Sequence, residues 1–256
     1  MRSFYAVYRK EMGHYFVSPV AYVVIGVFVF VTGFFFTSYI GQAILAGLQG
    51  MQMGMTQQDL PGEVMRAFFG IISLLILFFL PMLTMGVYAE ERKRGTMELL
   101  MTSPITETQI VLGKFFASLS LYAIMLVPTA GYLTYMYFHS DPIPPWRMML
   151  AGYVGVLLFG GALLALGTFL SSLTENQIIA AILTFTAFLM LWVLNLGANA
   201  SSSVGAVLGY LSVIAHYNDF TKGVVDTSSL IYYLSFIFLF LFLTVRAVDS
   251  LRWRRA

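Results

Sequence analysis

Six stretches of this chain, residues 20–40, 67–88, 115–138, 148–173, 178–196 and 227–245, contain no Asp, Glu, Lys, Arg or His. Each is close to the roughly twenty apolar residues with which a helix crosses about 30 Å of hydrocarbon. Only 10% of all residues are charged and 59% are hydrophobic, where a soluble domain carries about 25% charge. The expected fold is therefore all-α: a polytopic membrane protein with six transmembrane helices, forming one membrane domain over residues 1–256. A basic segment precedes the first run, but that run is longer than a secretory signal core and lacks a small-residue cleavage site, so it is read as a retained span.

Residues 1–18 precede it. Phe4, Tyr8, Met12 and Tyr15 recur at helical spacing beside Arg2, Arg9 and Lys10. That pattern suggests a helix lying in the membrane interface with its basic side chains toward anionic headgroups. Ser18-Pro19 then breaks the helix and turns the chain into the bilayer.

Orientation follows from counting lysines and arginines. With the N-terminus inside, the inner segments hold Arg2, Arg9, Lys10, Arg92, Lys93, Arg94, Lys114, Arg246, Arg252, Arg254 and Arg255. The outer ones hold Arg66, Arg147 and Lys222, so eleven stand against three and all fourteen are accounted for. Basic residues concentrate on the cytoplasmic side, which places both termini and residues 90–114 there.

The outer connections differ in kind. Residues 41–66 are long, rich in Met and Gln and suited to an external helix. Residues 139–147, HSDPIPPWR, form a stiff turn with Trp146 at headgroup depth. Within residues 198–226, the apolar piece 204–214 is too short to cross and fits a re-entrant or interfacial segment. The inner connection 174–177 is short, so spans four and five are expected to be antiparallel neighbours.

Several activities lack their chemistry. There is no cysteine, hence no disulfide framework and no thiolate site. Gly113-Lys114 is followed by Phe115 and has Thr108 where a phosphate-binding loop needs its first glycine, so ATP is not bound by that route. Ion-coupled transport calls for ionisable groups at membrane depth, and the spans have none. His14, His139 and His216 lie outside the spans, so no histidine can activate an intramembrane serine. No cofactor or metal is expected in this chain.

Inside the spans most features read as packing. Ala151 with Gly155, and Gly161 with Ala165, are small residues four apart that admit a close helix, from this chain or from a second copy. Pro81 and Pro128 are expected to kink spans two and three. Asn195, near the outer end of span five, fits an ordinary interhelical hydrogen bond or the lining of a polar path.

Residues 90–114, EERKRGTMELLMTSPITETQIVLGK, are the one long charged passage. Thr96 can cap a short helix that Pro104 stops, and Thr106-Glu107-Thr108-Gln109 reads as a capping box starting the helix into span three. A charged rim around Leu99, Leu100 and Met101 suits docking in a groove on a soluble partner; the same charges also suit a solvated loop that only sets topology.

Glu91-Arg92-Lys93-Arg94-Gly95-Thr96-Met97-Glu98-Leu99-Leu100, with Pro104 following and Lys114 opening the next span, resembles the cytoplasmic signature E-x-x-x-G-T-x-E-x-L-x-x-x-P of ABC-2-type permeases. The resemblance extends over the whole chain through the six spans, the N-terminal helix and the long connection before span six. It is most similar to the gliding-motility GldF-like and NosY-like permeases, partly through residues 216–220 and 223–226. The resemblance implies a permease subunit of an ATP-binding cassette exporter in the bacterial inner membrane. Two permease copies or paralogues would pair with two ATPase subunits that bind the ATP and Mg. The loop would act as the cytoplasmic coupling helix, with Glu91, Arg94, Gly95, Thr96, Glu98, Leu99 and Leu100 docking the ATPase. In the gliding-motility subgroup a membrane subunit with a large external domain is expected too. From a different class, the alternative is a non-transporting anchor through which ATPase work moves a partner.

Overall fold

The computed structural model describes residues 2–52, 59–97, 105–197 and 209–253. Among them are nine helices: α1 (Arg2–Val17), α2 (Pro19–Gln52), α3 (Leu60–Thr84), α4 (Ala89–Lys93), α5 (Glu107–His139), α6 (Trp146–Leu173), α7 (Gln177–Gly197), α8 (Val213–Thr221) and α9 (Thr227–Trp253). Six of them are long and apolar enough to cross a membrane, each containing or overlapping one uncharged run of the sequence. The protein is an all-helical, multi-pass membrane protein.

Helix boundaries follow local chemistry. Ser18 separates α1 from α2 and its hydroxyl accepts the Val20 amide at 3.3 Å, while Pro19 opens α2, where its missing N–H costs nothing. The α2 helix has 34 residues, about 51 Å at roughly 1.5 Å per residue, so it outruns the hydrocarbon. The separate external helix expected within residues 41–66 is thus replaced by a continuation of span one as far as Gln52. Asp59 caps α3 through the Gly62 amide at 3.1 Å, with Pro61 in the first turn.

The architecture is organised around α6. Two thirds of its spanning window, 67%, is buried, against 17% in both α7 and α9. Glycines make that burial possible by letting large side chains lie on the α6 backbone: Tyr122 of α5 over Gly160, Phe69 of α3 over Gly152, and Phe220 of α8 over Gly155. The small residues of span four therefore serve neighbours within this chain. Tyr122 also donates to the Val156 carbonyl at 2.8 Å, so its ring and hydroxyl both engage α6.

Helix α8 belongs to the core. Tyr217 donates to the Phe69 carbonyl at 2.8 Å, and Tyr233 of α9 donates to the Val213 carbonyl at 2.7 Å. Residues 213–221 of the last connection thus pack among α3, α6 and α9. Much of the apolar piece 204–214 lies outside the described residues.

Pro81 and Pro128 both sit inside helices. Pro81 leaves the Leu77 carbonyl without its usual donor one turn before α3 ends.

Candidate functional site

The end of the molecule that carries α1 also holds α4 and the beginning of α5. The chain leaves α3 at Thr84, turns through residues 85–88 and re-forms one short turn of helix, α4. Such a break strands backbone groups that need partners. Ser171, near the end of α6, supplies them: its hydroxyl accepts from the amides of Tyr88 and Ala89 at 3.2 and 3.3 Å and donates to the Met85 carbonyl at 3.1 Å. Arg92 adds a second clamp, with Nη1 on the Ser172 carbonyl at 2.8 Å and Nη2 on Glu175 at 3.0 Å.

On the other side, α1 lies against α5. Gly113 makes the approach possible, because a Cβ there would fall 2.9 Å from the Val7 side chain. Tyr8 donates to Ser120 at 3.1 Å, and the Tyr15 and Ser118 hydroxyls share a bond of 3.0 Å. Phe4 meets Phe116 edge-on with ring centres 6.0 Å apart.

Where these two assemblies meet stands a knot of charge, buried at Lys114 and Glu11 and open to solvent at Lys10. Lys114, the second residue of the Gly113-Lys114 pair, is 1% exposed. Its Nζ donates to Glu11 Oε1 at 3.0 Å and to the Val87 carbonyl at 2.9 Å, and lies 2.9 Å from Glu91 Oε2. The Glu91 contact is a charge pair; hydrogen-bond angles are met at Glu11 and Val87. Lys10 closes the knot, 2.8 Å from Glu91 Oε1 and 3.4 Å from Glu11 Oε1. The Tyr88 ring lies 5.3 Å from the Lys114 ammonium.

Two lysines and two glutamates balance. Desolvating Lys114, Glu11 and Glu91 costs several kcal/mol each, which the attraction offsets only when partners are close and well placed. Burial pulls the Lys10 ammonium downward, but the hydrogen bond to Glu91 and the charges of Glu91 and Glu11 outweigh it and hold the group above its ordinary value. The knot joins three segments distant in sequence: Lys10 and Glu11 on α1, Glu91 on α4, and Lys114 on α5. Lys10 therefore turns toward Glu91, where the sequence suggested a headgroup contact.

Beyond the knot the chain turns sharply. Gly95 takes a φ of +69°, a conformation that ends α4 and favours glycine, and its amide bonds the Arg92 carbonyl at 3.2 Å. Thr96 donates to the Glu91 carbonyl at 3.3 Å. Met97 then buries itself with Val87, Tyr88, Val111 and Val248, so the turn is held from behind by α5 and α9. Arg94 pairs with Glu90 one turn earlier.

The model of the ABC-2 family transporter proteins matches residues 5–250. The chain belongs to the ABC-2 transporter family. This family supplies the non-catalytic membrane component of transporters whose other component is an ATP-binding cassette protein, so membership also implies such a partner. No curated protein matches the chain in sequence.

For an ABC-2 permease, the site residues named from sequence fall into three groups. Arg94, Gly95 and Thr96 are exposed on the turn. Glu91 points inward, with 15% of its side chain exposed, and holds the knot. Glu98, Leu99 and Leu100 lie outside the described residues, as does the helix expected between Thr96 and Pro104 beyond Met97. At the far end, Asn195 accepts from the Ser212 hydroxyl at 3.4 Å, tying α7 to the cap of α8. The capping box at residues 106–109 does not form: Thr106 precedes α5, but its hydroxyl pairs with that of Thr108 at 3.1 Å and makes no bond to the helix backbone.

Glu11 and Ser171 are site residues that the sequence reading did not single out, and Lys10, Arg92 and Lys114 are ones to which it gave no part in holding the site together. One signal was present. Glu11 is the only acid before Asp59, and an isolated acid in a basic, aromatic helix needs a cation.

Proposed function

We propose that this chain is the permease subunit of an ATP-binding cassette exporter, and that the turn bearing Arg94, Gly95 and Thr96, continued by Glu98, Leu99 and Leu100, docks a separate ATPase that binds ATP and Mg. The reading rests on family membership and on one observation above all. Lys114 ties the segment before the turn to both α1 and α5, so a displacement of the turn loads a membrane span and the N-terminal helix together. A loop fastened on one side only would swing without moving the spans.

Coupling requires that the turn contact the ATPase differently in its two nucleotide states, since equal contact with both shifts nothing. The charge count supports both termini being cytoplasmic, and the resemblance to bacterial permeases supports the bacterial inner membrane. A second permease, identical or paralogous, would complete the pathway, with Asn195 as one polar lining group. Residues 216–220 and 223–226 support the gliding-motility or NosY-like subgroup and, with it, a subunit bearing a large external domain.

The test is co-purification with the ATPase, followed by measurement of ATPase stimulation. Glu98→Arg, or Leu99→Asp with Leu100→Asp, should abolish stimulation and leave membrane insertion intact. Full stimulation in a complex carrying these changes overturns the docking assignment.

A further inference from the structure

Beside the charge knot, between α1, the start of α2 and the α3–α4 junction, lies a cavity of about 700 Å³. That size is within the range of sites that enclose small-molecule ligands. One side of it is apolar, built from Ala21 and Val24 of α2, Met82 and Leu83 of α3, and Leu121 of α5. Its mouth is polar, with Lys10, His14 and Ser18 from the α1 side, Glu90 of α4, Arg94 just beyond it, and Gln177 from α7.

We propose that this cavity binds a phospholipid with a zwitterionic head, drawn from the leaflet on the α1 side of the membrane. Three relationships carry the proposal. First, the apolar wall is made of the ends of membrane spans while the polar mouth is made of segments outside them. A ligand filling it must place a hydrocarbon chain at membrane depth and a polar head at the interface. Second, the cavity opens sideways: Val20 and Met82, which line it, are 62% and 51% exposed, so an acyl chain can enter from the bilayer without crossing water. Third, the lining holds three cations, Lys10, Arg94 and Lys114, and three carboxylates, Glu11, Glu90 and Glu91. The cations of the mouth are already matched, Lys10 by Glu91 and Arg94 by Glu90, which leaves an anionic headgroup no net attraction, whereas a zwitterionic head can exchange into the Arg94–Glu90 pair with its phosphate on Arg94 and its ammonium on Glu90. This site does not depend on the ATPase reading, because it is a property of the isolated chain.

The experiment uses the purified chain in nanodiscs and a phosphatidylethanolamine carrying a diazirine on its acyl chain, with the phosphatidylglycerol analogue as comparison. Labelling by the ethanolamine lipid should concentrate on residues 15–24 and 82–87. It should fall about tenfold or more in two variants that occupy the cavity and displace buried methylenes. One is Ala21→Phe. The other is Gly86→Leu, whose added Cβ would meet nothing nearer than Glu90 Oε2 at 3.4 Å, so it keeps the test alive if Ala21→Phe does not fold. Labelling spread over the exposed faces of α7 and α9, or equal in the variants and the parent, overturns the site. Equal labelling by the glycerol lipid overturns the zwitterionic assignment.

Discussion

Lys114 Nζ lies 2.9 Å from Glu91 Oε2 and 3.0 Å from Glu11 Oε1, so one ammonium at the start of α5 joins α4 to α1. The α1 helix already lies along α5 through Tyr8, Tyr15 and Phe4, and α4 is clamped by Ser171 and Arg92; the ammonium joins these two assemblies. Their common attachment makes the turn at Gly95 part of a rigid assembly.

Removing Lys114 should show this most directly. Lys114→Met leaves Glu11 and Glu91 desolvated with only Lys10 to share, and breaking a buried pair in this way costs about 3–5 kcal/mol. Adding Glu11→Gln removes the surplus charge, so the double variant should be more stable than the sum of the two single effects, with a coupling of about 0.5–3 kcal/mol. Thermal unfolding in detergent measures all four corners of the cycle. Strict additivity would mean that the knot is not an energetic unit.

Ser171→Ala should loosen the α3–α4 junction. The change withdraws the acceptor of two amides and the donor to one carbonyl in a buried place, at a cost of about 1–3 kcal/mol. Hydrogen exchange at Tyr88 and Ala89 should accelerate well beyond that of the α6 core. Unchanged protection at those two amides would contradict the assignment.

The spans were legible because each is an uncharged run of the right length, a property of composition alone. Helix ends were less so. The α2 helix continues past Ile40 because residues 41–52 contain no proline to stop it, and Thr106 fails to cap because its neighbour Thr108 offers a competing hydroxyl. The charged passage was visible as a site, but its division of labour was not. Glu91 and Arg94 look alike in sequence, yet Glu91 turns inward to Lys114 and Arg94 outward beside Glu90. That difference arises because Glu91 faces Lys114 at the start of α5 and Lys10 on α1, the latter 81 positions away in sequence.

Gly160→Ala should destabilise the protein by about 1–3 kcal/mol, because a methyl group there collides with the Tyr122 ring, which cannot withdraw without losing its bond to Val156. Gly70, exposed on α3 with nothing near its Cβ direction, is the control. Its alanine variant should be neutral or slightly stabilising, as helix propensity favours alanine by about 1 kcal/mol. Melting temperatures in one detergent compare the two, and similar shifts for both would refute the close packing of α5 on α6.

Gly95 separates backbone conformation from contact. Nothing lies within 4 Å of its Cβ direction, so substitution there is opposed only by the φ of +69°. Alanine in that left-handed region costs about 1–2 kcal/mol, and asparagine, which tolerates it, costs less. Stability should therefore fall in the order glycine, asparagine, alanine. If the turn docks the ATPase in the shape seen here, ATPase stimulation in the reconstituted complex should follow the same order. An alanine variant that stimulates as well as the parent while melting at a lower temperature would detach the turn's conformation from coupling and leave the docking role to the residues beyond Met97.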